Sequence, residues 1–359
     1  MKKNRWIITL LALILLLSSC TKTPQTPANT QQTPAESELV QTPAEVQVET
    51  PSETDPHISR DGVNYYEKYD ITDNGDSITM IDSIDQVVTI PKHPEKVANL
   101  YNSHLSLWNL MGGEVMAVAE QTDEKPVEGI DHAEIIGKIA EPNIEKLVML
   151  EPDFCIIAPL PSNQETALQL NEMGIPTIYL KTSSKDDYYR LVRIFSAILD
   201  DEALFEKFAL DIEESIQELL ANVPEGKSPT ILLMRATQRG VSVLNNQTLN
   251  GEMLADLKAI NIADNAVSGD RSEEFSMEQI VADDPDVIFV TEMGSNLEGI
   301  AQKRKELLED DPVWSELSAV KNGRYHILPK DLFTYRPNEN YLEAYTILAK
   351  YLYPDMFTE

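Results

Sequence analysis

The stretches IEKLVMLEPDFCII (residues 144–157) and MEQIVADDPDVIFV (residues 277–290) align without a gap. Glu145 matches Glu278, Val148 matches Val281, and Pro152-Asp153 matches Pro285-Asp286. Most remaining positions are chemically similar. Each stretch reads as a helix, a Pro-Asp turn and an unbroken apolar run, the pattern of a strand buried on both faces. Asn143 and Ser276 stand where an N-cap belongs. Glu145 and Glu278 then fall in the first helical turn, where a carboxylate complements the free backbone N–H groups. The same unit in the two halves of one chain is read as a duplication.

Working outward, strands and helices alternate on both sides of the repeat. SITMIDSIDQVVTI (77–90) predicts a β-hairpin, and KVANLY (96–101) a short buried strand. Ser103 is expected to cap a helix carrying Leu105, Trp108, Leu110 and Met111, which Gly112-Gly113 ends before strand EVMAVA (114–119). A helix over 163–173 and strand PTIYL (176–180) follow. From about Lys185 to Ala221 the apolar residues keep helical spacing, with Asp200-Asp201 marking a break. After Pro224-Glu225-Gly226 the alternation restarts: strand TILLMRA (230–236), helix GEMLADLKAI (251–260) and the second repeat, with its strand DVIFVTEM (286–293). Then come the mostly helical 304–317, strand RYHILP (324–329) and a closing helix over 338–354. Such alternation implies parallel sheets with helices on their faces, here in two α/β lobes.

Upstream, Lys2, Lys3 and Arg5 precede an apolar run from Trp6 to Leu17. That run is short of the roughly 20 apolar residues a membrane span needs, and it fits a secretory leader. It ends Leu17-Ser18-Ser19-Cys20, which resembles a bacterial lipobox, so Cys20 is the expected lipidation site. Several acyl chains on one residue anchor stably where one chain does not. Residues 21 to about 58 are rich in Thr, Pro, Gln and Glu and cannot bury enough apolar surface to fold, which suits a tether. The chain of 359 residues carries 29 Lys+Arg against 60 Asp+Glu, a net charge of −31, which argues against nucleic acid as a partner. Two cysteines (Cys20 and Cys155) and five scattered histidines offer neither a disulfide framework nor a zinc motif. GxSxG, P-loop and GxGxxG motifs are also missing, so an enzyme is not expected.

The repeat E-x-x-V/L-x-x-x-P-D-hydrophobic, occurring twice about a long helix, resembles the substrate-binding proteins of ATP-driven (ABC) importers for ferric siderophores, haem and cobalamin. The opening VTIPKHPEKV, the GIPTIYL strand and the ending AVKNGRYHILPKDLF share the resemblance, which runs from about Asp76 to Phe357. It implies an α/β fold of two Rossmann-like lobes with parallel-rich sheets, joined by a single long α-helix, with the ligand cleft between the lobes. The expected organisation is a leader (1–19), a lipidated Cys and tether (20–58), an N-terminal lobe (59–182), a connecting helix region (183–223) and a C-terminal lobe (224–359). The implied protein is an extracytoplasmic, membrane-anchored monomer. It has no cofactor of its own and delivers a small-molecule iron complex, a ferric siderophore first or else haem or cobalamin, to an importer permease and its ATPase. A surface sensor or adhesin on the same fold is the alternative. In the family one glutamate on each lobe docks the permease, which carries over to Glu145 and Glu278.

Ligands of open α/β sheets meet the loops at the carboxyl ends of strands. Those loops nominate Tyr101, Asn102, Ser103, His104 and Pro159 in the first lobe, and Arg235, Arg239 and Met293 in the second. Phe333, Tyr335 and Arg336 complete the rim. The aromatics offer stacking area, while Arg235, Arg239, Arg271 and Arg336 offer pairing to carboxylates or phenolates of an anionic chelate. His104 and Tyr101 read as axial ligands only if the cargo is haem; otherwise His104 is a polar residue at the start of a helix. Cys155, in mid-strand, reads as a small buried hydrophobe.

Overall fold

A computed structural model describes residues 57–121, 126–264 and 276–357. The expected leader, Cys20 and Arg271 lie outside the described residues, as does the tether except for its last two residues. Residues from Thr54 onward form one compact unit.

The N-terminal lobe begins with helix α1 (Tyr65–Lys68) and a small antiparallel sheet of β1 (Thr72–Asp73), β2 (Ser77–Ile81) and β3 (Val87–Pro91). The predicted hairpin is β2–β3, with Ile78, Met80, Val88 and Ile90 all turned inward. Next come β4 (Val97–Asn99), α2 (Asn102–Leu110), β5 (Ala117–Val118), β6 (Glu134–Ile135) and the short hairpin β7 (Gly137–Lys138)–β8 (Glu141–Pro142). The lobe ends with α3 (Ile144–Met149), β9 (Phe154–Ile157), α4 (Gln164–Glu172) and β10 (Thr177–Tyr179). Its main sheet has the order β10-β9-β4-β5-β6 with every pairing parallel. Every residue of β4, β9 and β10 is buried, as a parallel strand between helical layers requires. Cys155 lies within that sheet as expected, and burial pushes its thiol up to about 12.

The helical region is two helices rather than one. A Ser184–Asp187 capping box starts α5 (Lys185–Ile198). The helix ends at Leu199, and Asp200 takes a left-handed backbone with φ 53°. Asp201 then caps α6 (Glu202–Phe205) by accepting from the Ala203 N–H. A wide π-type turn at Glu206–Leu210 carries α6 straight into α7 (Asp211–Ala221). The single long α-helix expected in the connecting region is therefore corrected to two. The break falls at Asp200-Asp201 because those two residues end one helix and cap the next. The segment before β1 clasps this pair: Arg60 bridges Asp211 at 2.7 Å, and Lys68 bridges Asp186 at 2.6 Å.

The C-terminal lobe is built from β11 (Thr230–Thr237), β12 (Gly240–Val243), α8 (Leu249–Asp256), β13 (Ile260–Asn261), α9 (Met277–Asp283), β14 (Val287–Glu292) and α10 (Leu297–Arg304). It closes with α11 (Ser318–Lys321), β15 (Tyr325–Ile327), α12 (Lys330–Phe333) and α13 (Tyr341–Leu352). The sheet order is β12-β11-β14-β15, and β13 pairs with the opposite end of β11. All pairs are parallel except β11–β12.

The repeat does the same structural work in both lobes. Asn143 and Ser276 cap α3 and α9 by accepting from Lys146 and Gln279 N–H groups. Glu151 and Asp284, equivalent in the alignment, both adopt positive φ, of 51° and 38°. The Asp153 carboxylate accepts from the Glu95 and Lys96 N–H groups at 2.9 Å, fastening the entry to β4. The Asp286 carboxylate accepts from the Thr230 N–H at 2.8 Å and from its hydroxyl, fastening β11. Each Pro-Asp turn thus locks the start of its own strand to the start of the neighbouring parallel strand.

Candidate functional site

Tyr101 ends the loop after β4, and α2 starts directly behind it with Tyr101 as N-cap. Ser103 is therefore inside the first turn and does not cap the helix. Asn102 and Ser103 stand four and three residues before Ser106, so these polar side chains fall on one side of α2. His104, Leu105, Leu107 and Trp108 are buried on the other. Across from that polar face, α12 and the residues after it bring up Phe333, Thr334, Tyr335 and Arg336. Asn338 donates to the Ser103 carbonyl at 3.1 Å, joining the two lobes at this point.

The space between the lobes is a cavity of about 490 Å³. The N-terminal lobe contributes Tyr101, Asn102, Ser103 and Ile139, and Ser183 precedes α5. The other wall is Arg235, Met293 and Phe333 to Arg336, together with Gln247, Thr248, Leu249 and Asn250. The start of α8 comes close because Gly251 has no side chain: a Cβ there would lie 2.1 Å from the Asn245 carbonyl oxygen. Asn250 is buried and donates to the Phe333 carbonyl at 2.8 Å, holding the α12 side of the wall in place.

Of the nominated residues, Tyr101, Asn102, Ser103, Arg235, Met293, Phe333, Tyr335 and Arg336 meet in this cavity. His104, Pro159 and Arg239 are not among its lining residues. Residues 230–243 form a hairpin, so Arg239 sits exposed in its turn and not in a strand-end loop. Pro159 is half-buried beyond β9. His104 is 1% exposed and turned into the core, with its ring 4.6 Å from Tyr101 and 6.4 Å from Phe195, so it is unsuited to an axial role. Ile139 and residues 247–250 were not nominated. Ile139 lies in the turn of the short hairpin β7–β8, and residues 247–250 follow the strand β12; neither has a clear hydrophobic period.

Burial, with Arg336 adding to it, pushes the His104 imidazole down to about 3. A histidine lowered from an unfolded value near 6.5 disfavours protons in the native state. The unfolded chain then binds more of them, so stability falls as pH drops from about 6.5 towards 3. Denaturation midpoints of the wild type and His104→Phe, followed over that range, should diverge, with the variant losing less. Parallel pH profiles would refute the assignment.

The electrostatics of the cavity run against the rest of the molecule. Arg60, Arg193 and Arg304 pair with carboxylates, and Arg190 and Arg324 donate to backbone carbonyls. Arg235 and Arg336 have no ionic or hydrogen-bond partner among the described residues. Arg235 is lowered by burial and by the charge of Arg336. Two arginines that repel one another and have no carboxylate partner among the described residues form a local positive field, in a protein of net charge −31. Among the described residues, no group of three or more His, Cys, Asp or Glu could hold a metal ion. Glu145 and Glu278 are exposed at the equivalent helix starts of the two lobes.

Comparison with known proteins agrees with this architecture. The sequence profile described as "Periplasmic binding protein" matches residues 97–332, well over half of the chain. The chain belongs to the periplasmic binding protein family. Members bind solutes and do not transform them, so this periplasmic binding protein is not an enzyme. It is 24% identical to the ABC transporter substrate-binding lipoprotein YvrC of Bacillus subtilis over 79% of this chain and 87% of that one. It is 26% identical to the Fe(3+)-citrate-binding protein YfmC of the same organism, over 68% of this chain and 76% of the relative. Its fold matches the triscatecholate siderophore-binding protein FeuA of Bacillus subtilis, solved with ferri-bacillibactin. The TM-score is 0.61 at 20% identity, covering 77% of this chain and 99% of that one.

Proposed function

We propose that this periplasmic binding protein captures an anionic iron chelate, a ferric siderophore or a related complex, and delivers it to the permease and ATPase of an ABC importer. The observation that carries the reading is the pair Arg235 and Arg336, unpaired among the described residues and lining one cavity with Tyr101, Phe333 and Tyr335. Guanidinium groups suit carboxylate and phenolate oxygens, and the rings supply stacking area. The names of relatives support the class, since they bind Fe(3+)-citrate and petrobactin. In this role the protein needs no cofactor of its own, because the iron travels inside the chelator. Haem is the weaker candidate: with His104 turned inward, Tyr101 alone of the two nominated axial ligands lines the cavity. Lipid on Cys20 would hold a monomer outside the cell membrane at the end of the tether, and Glu145 and Glu278 would meet basic residues of the permease.

Intrinsic fluorescence titration with ferric citrate, a ferric triscatecholate, haem and cobalamin tests the reading. Saturable quenching by an anionic ferric chelate is expected, with cobalamin at least tenfold weaker. Saturation by haem or cobalamin alone would overturn it. Delivery is tested by uptake of the bound chelate in cells carrying Glu145→Arg and Glu278→Arg together. Uptake should be lost while affinity is kept, and unchanged uptake would remove the docking role.

A further inference from the structure

The main cavity has a side chamber of about 70 Å³ between the start of α2 and residues 335–338. The two spaces share Asn102, Ser103, Tyr335 and Arg336 as walls, while Ser106 and Val127 line the chamber and not the main cavity. The chamber is rich in donors. Neither the Ser103 and Ser106 hydroxyls nor the Arg336 guanidinium has a hydrogen-bond partner among the described residues. The Asn102 side-chain Oδ1, by contrast, already accepts from the Gln121 side-chain amide at 3.1 Å. Helix α2 adds to this field, because it starts with neither a side-chain cap nor an acidic residue in its first turn.

Size narrows the occupant. An apolar cavity that takes up benzene measures about 150 Å³, roughly twice this chamber. The small space suits a carboxylate, and two hydroxyls with a guanidinium are the donors that a carboxylate accepts from. We infer that the chamber is a subsite for a carboxylate arm projecting from the bound chelate. The cargo is then an iron complex of a polycarboxylate or hydroxycarboxylate chelator. This rests on the reading of the main cavity as the chelate site.

The test is equilibrium binding of ferric citrate and of a ferric triscatecholate to the mature protein and to Ser106→Leu and Val127→Phe. These two substitutions fill the chamber from different walls, and thermal melting confirms that each variant is folded. Ferric citrate should bind the wild type more tightly than the triscatecholate. Each filling should weaken ferric citrate at least tenfold and leave the triscatecholate within twofold. Ferric citrate binding that ignores both substitutions, or equal losses for both chelates, overturns the subsite alone. Failure of both chelates to bind the wild type overturns the reading of the main cavity, and the subsite with it.

Discussion

Replacing Arg235 and Arg336 together by glutamine should lower the affinity for an anionic ferric chelate by about 10²–10⁴-fold. A hydrogen bond to a charged group is worth about 1.5–3 kcal/mol, and each 1.4 kcal/mol is about tenfold in affinity. Either single substitution should cost about 10–100-fold. The same change should stabilise the empty protein. Arg235 is largely buried, lacks a carboxylate among the described residues, and is lowered both by that burial and by Arg336. Removing one charge relieves desolvation and like-charge repulsion at once. The expected gain is about 0.5–2 kcal/mol, in the range found where a functional site is relieved of strain. Opposite signs in two measurements make the prediction discriminating. Isothermal titration reads the affinity and chemical denaturation the stability. Loss of both together would mean that the arginines serve the fold, and equal loss for cobalamin would mean that charge is not what they recognise.

Glu202→Ala is expected to destabilise the fold by about 2–3 kcal/mol. Arg193 is fully buried on α5, and its guanidinium meets both Glu202 oxygens, at 2.6 and 2.7 Å. It also lies between the Tyr66 and Phe205 rings, 4.5 and 4.7 Å from their centroids. Removing one partner of a buried pair leaves a charge with no compensation, which costs about 3–5 kcal/mol. The half-exposed Glu202 carboxylate brings the expectation to the lower end, because solvent already screens it. The double variant Arg193→Met, Glu202→Ala should recover most of the loss, since it removes the stranded charge and keeps the volume. A denaturation cycle over the four proteins checks this. Equal stability of the single and double variants would show that the rings, and not the carboxylate, hold Arg193.

Arg193 also illustrates what a one-dimensional pattern carries. An arginine within the apolar LVRIFSAIL stretch reads as a solvated residue of an amphipathic helix. Its burial depends on Glu202, nine residues later, folding back after the Asp200 turn, and on Tyr66 arriving from the N-terminal segment. Two features of the repeat were legible because their causes are local. The caps at Asn143 and Ser276 satisfy N–H groups three residues away. The apolar runs 154–157 and 287–290 are strands because nothing in them tolerates water.

By itself the sequence determined the two α/β lobes, their duplicated helix–turn–strand unit, the parallel strands and the family. The lobes, the unit and the strands follow from apolar periodicity, turn residues and helix caps acting within about fifteen residues; the family rests on the resemblance of the motifs. The tertiary structure alone decided which polar residues face the cleft. Ser103 and His104 are neighbours in the chain, yet about 100° of helical rotation sends one to the cavity and the other into the core. Arg235 and Arg239 lie four residues apart, but the turn of the β11–β12 hairpin leaves only Arg235 in the wall. Those outcomes depend on which surfaces the two lobes present to each other. That depends on packing between residues more than a hundred positions apart, which no local pattern encodes.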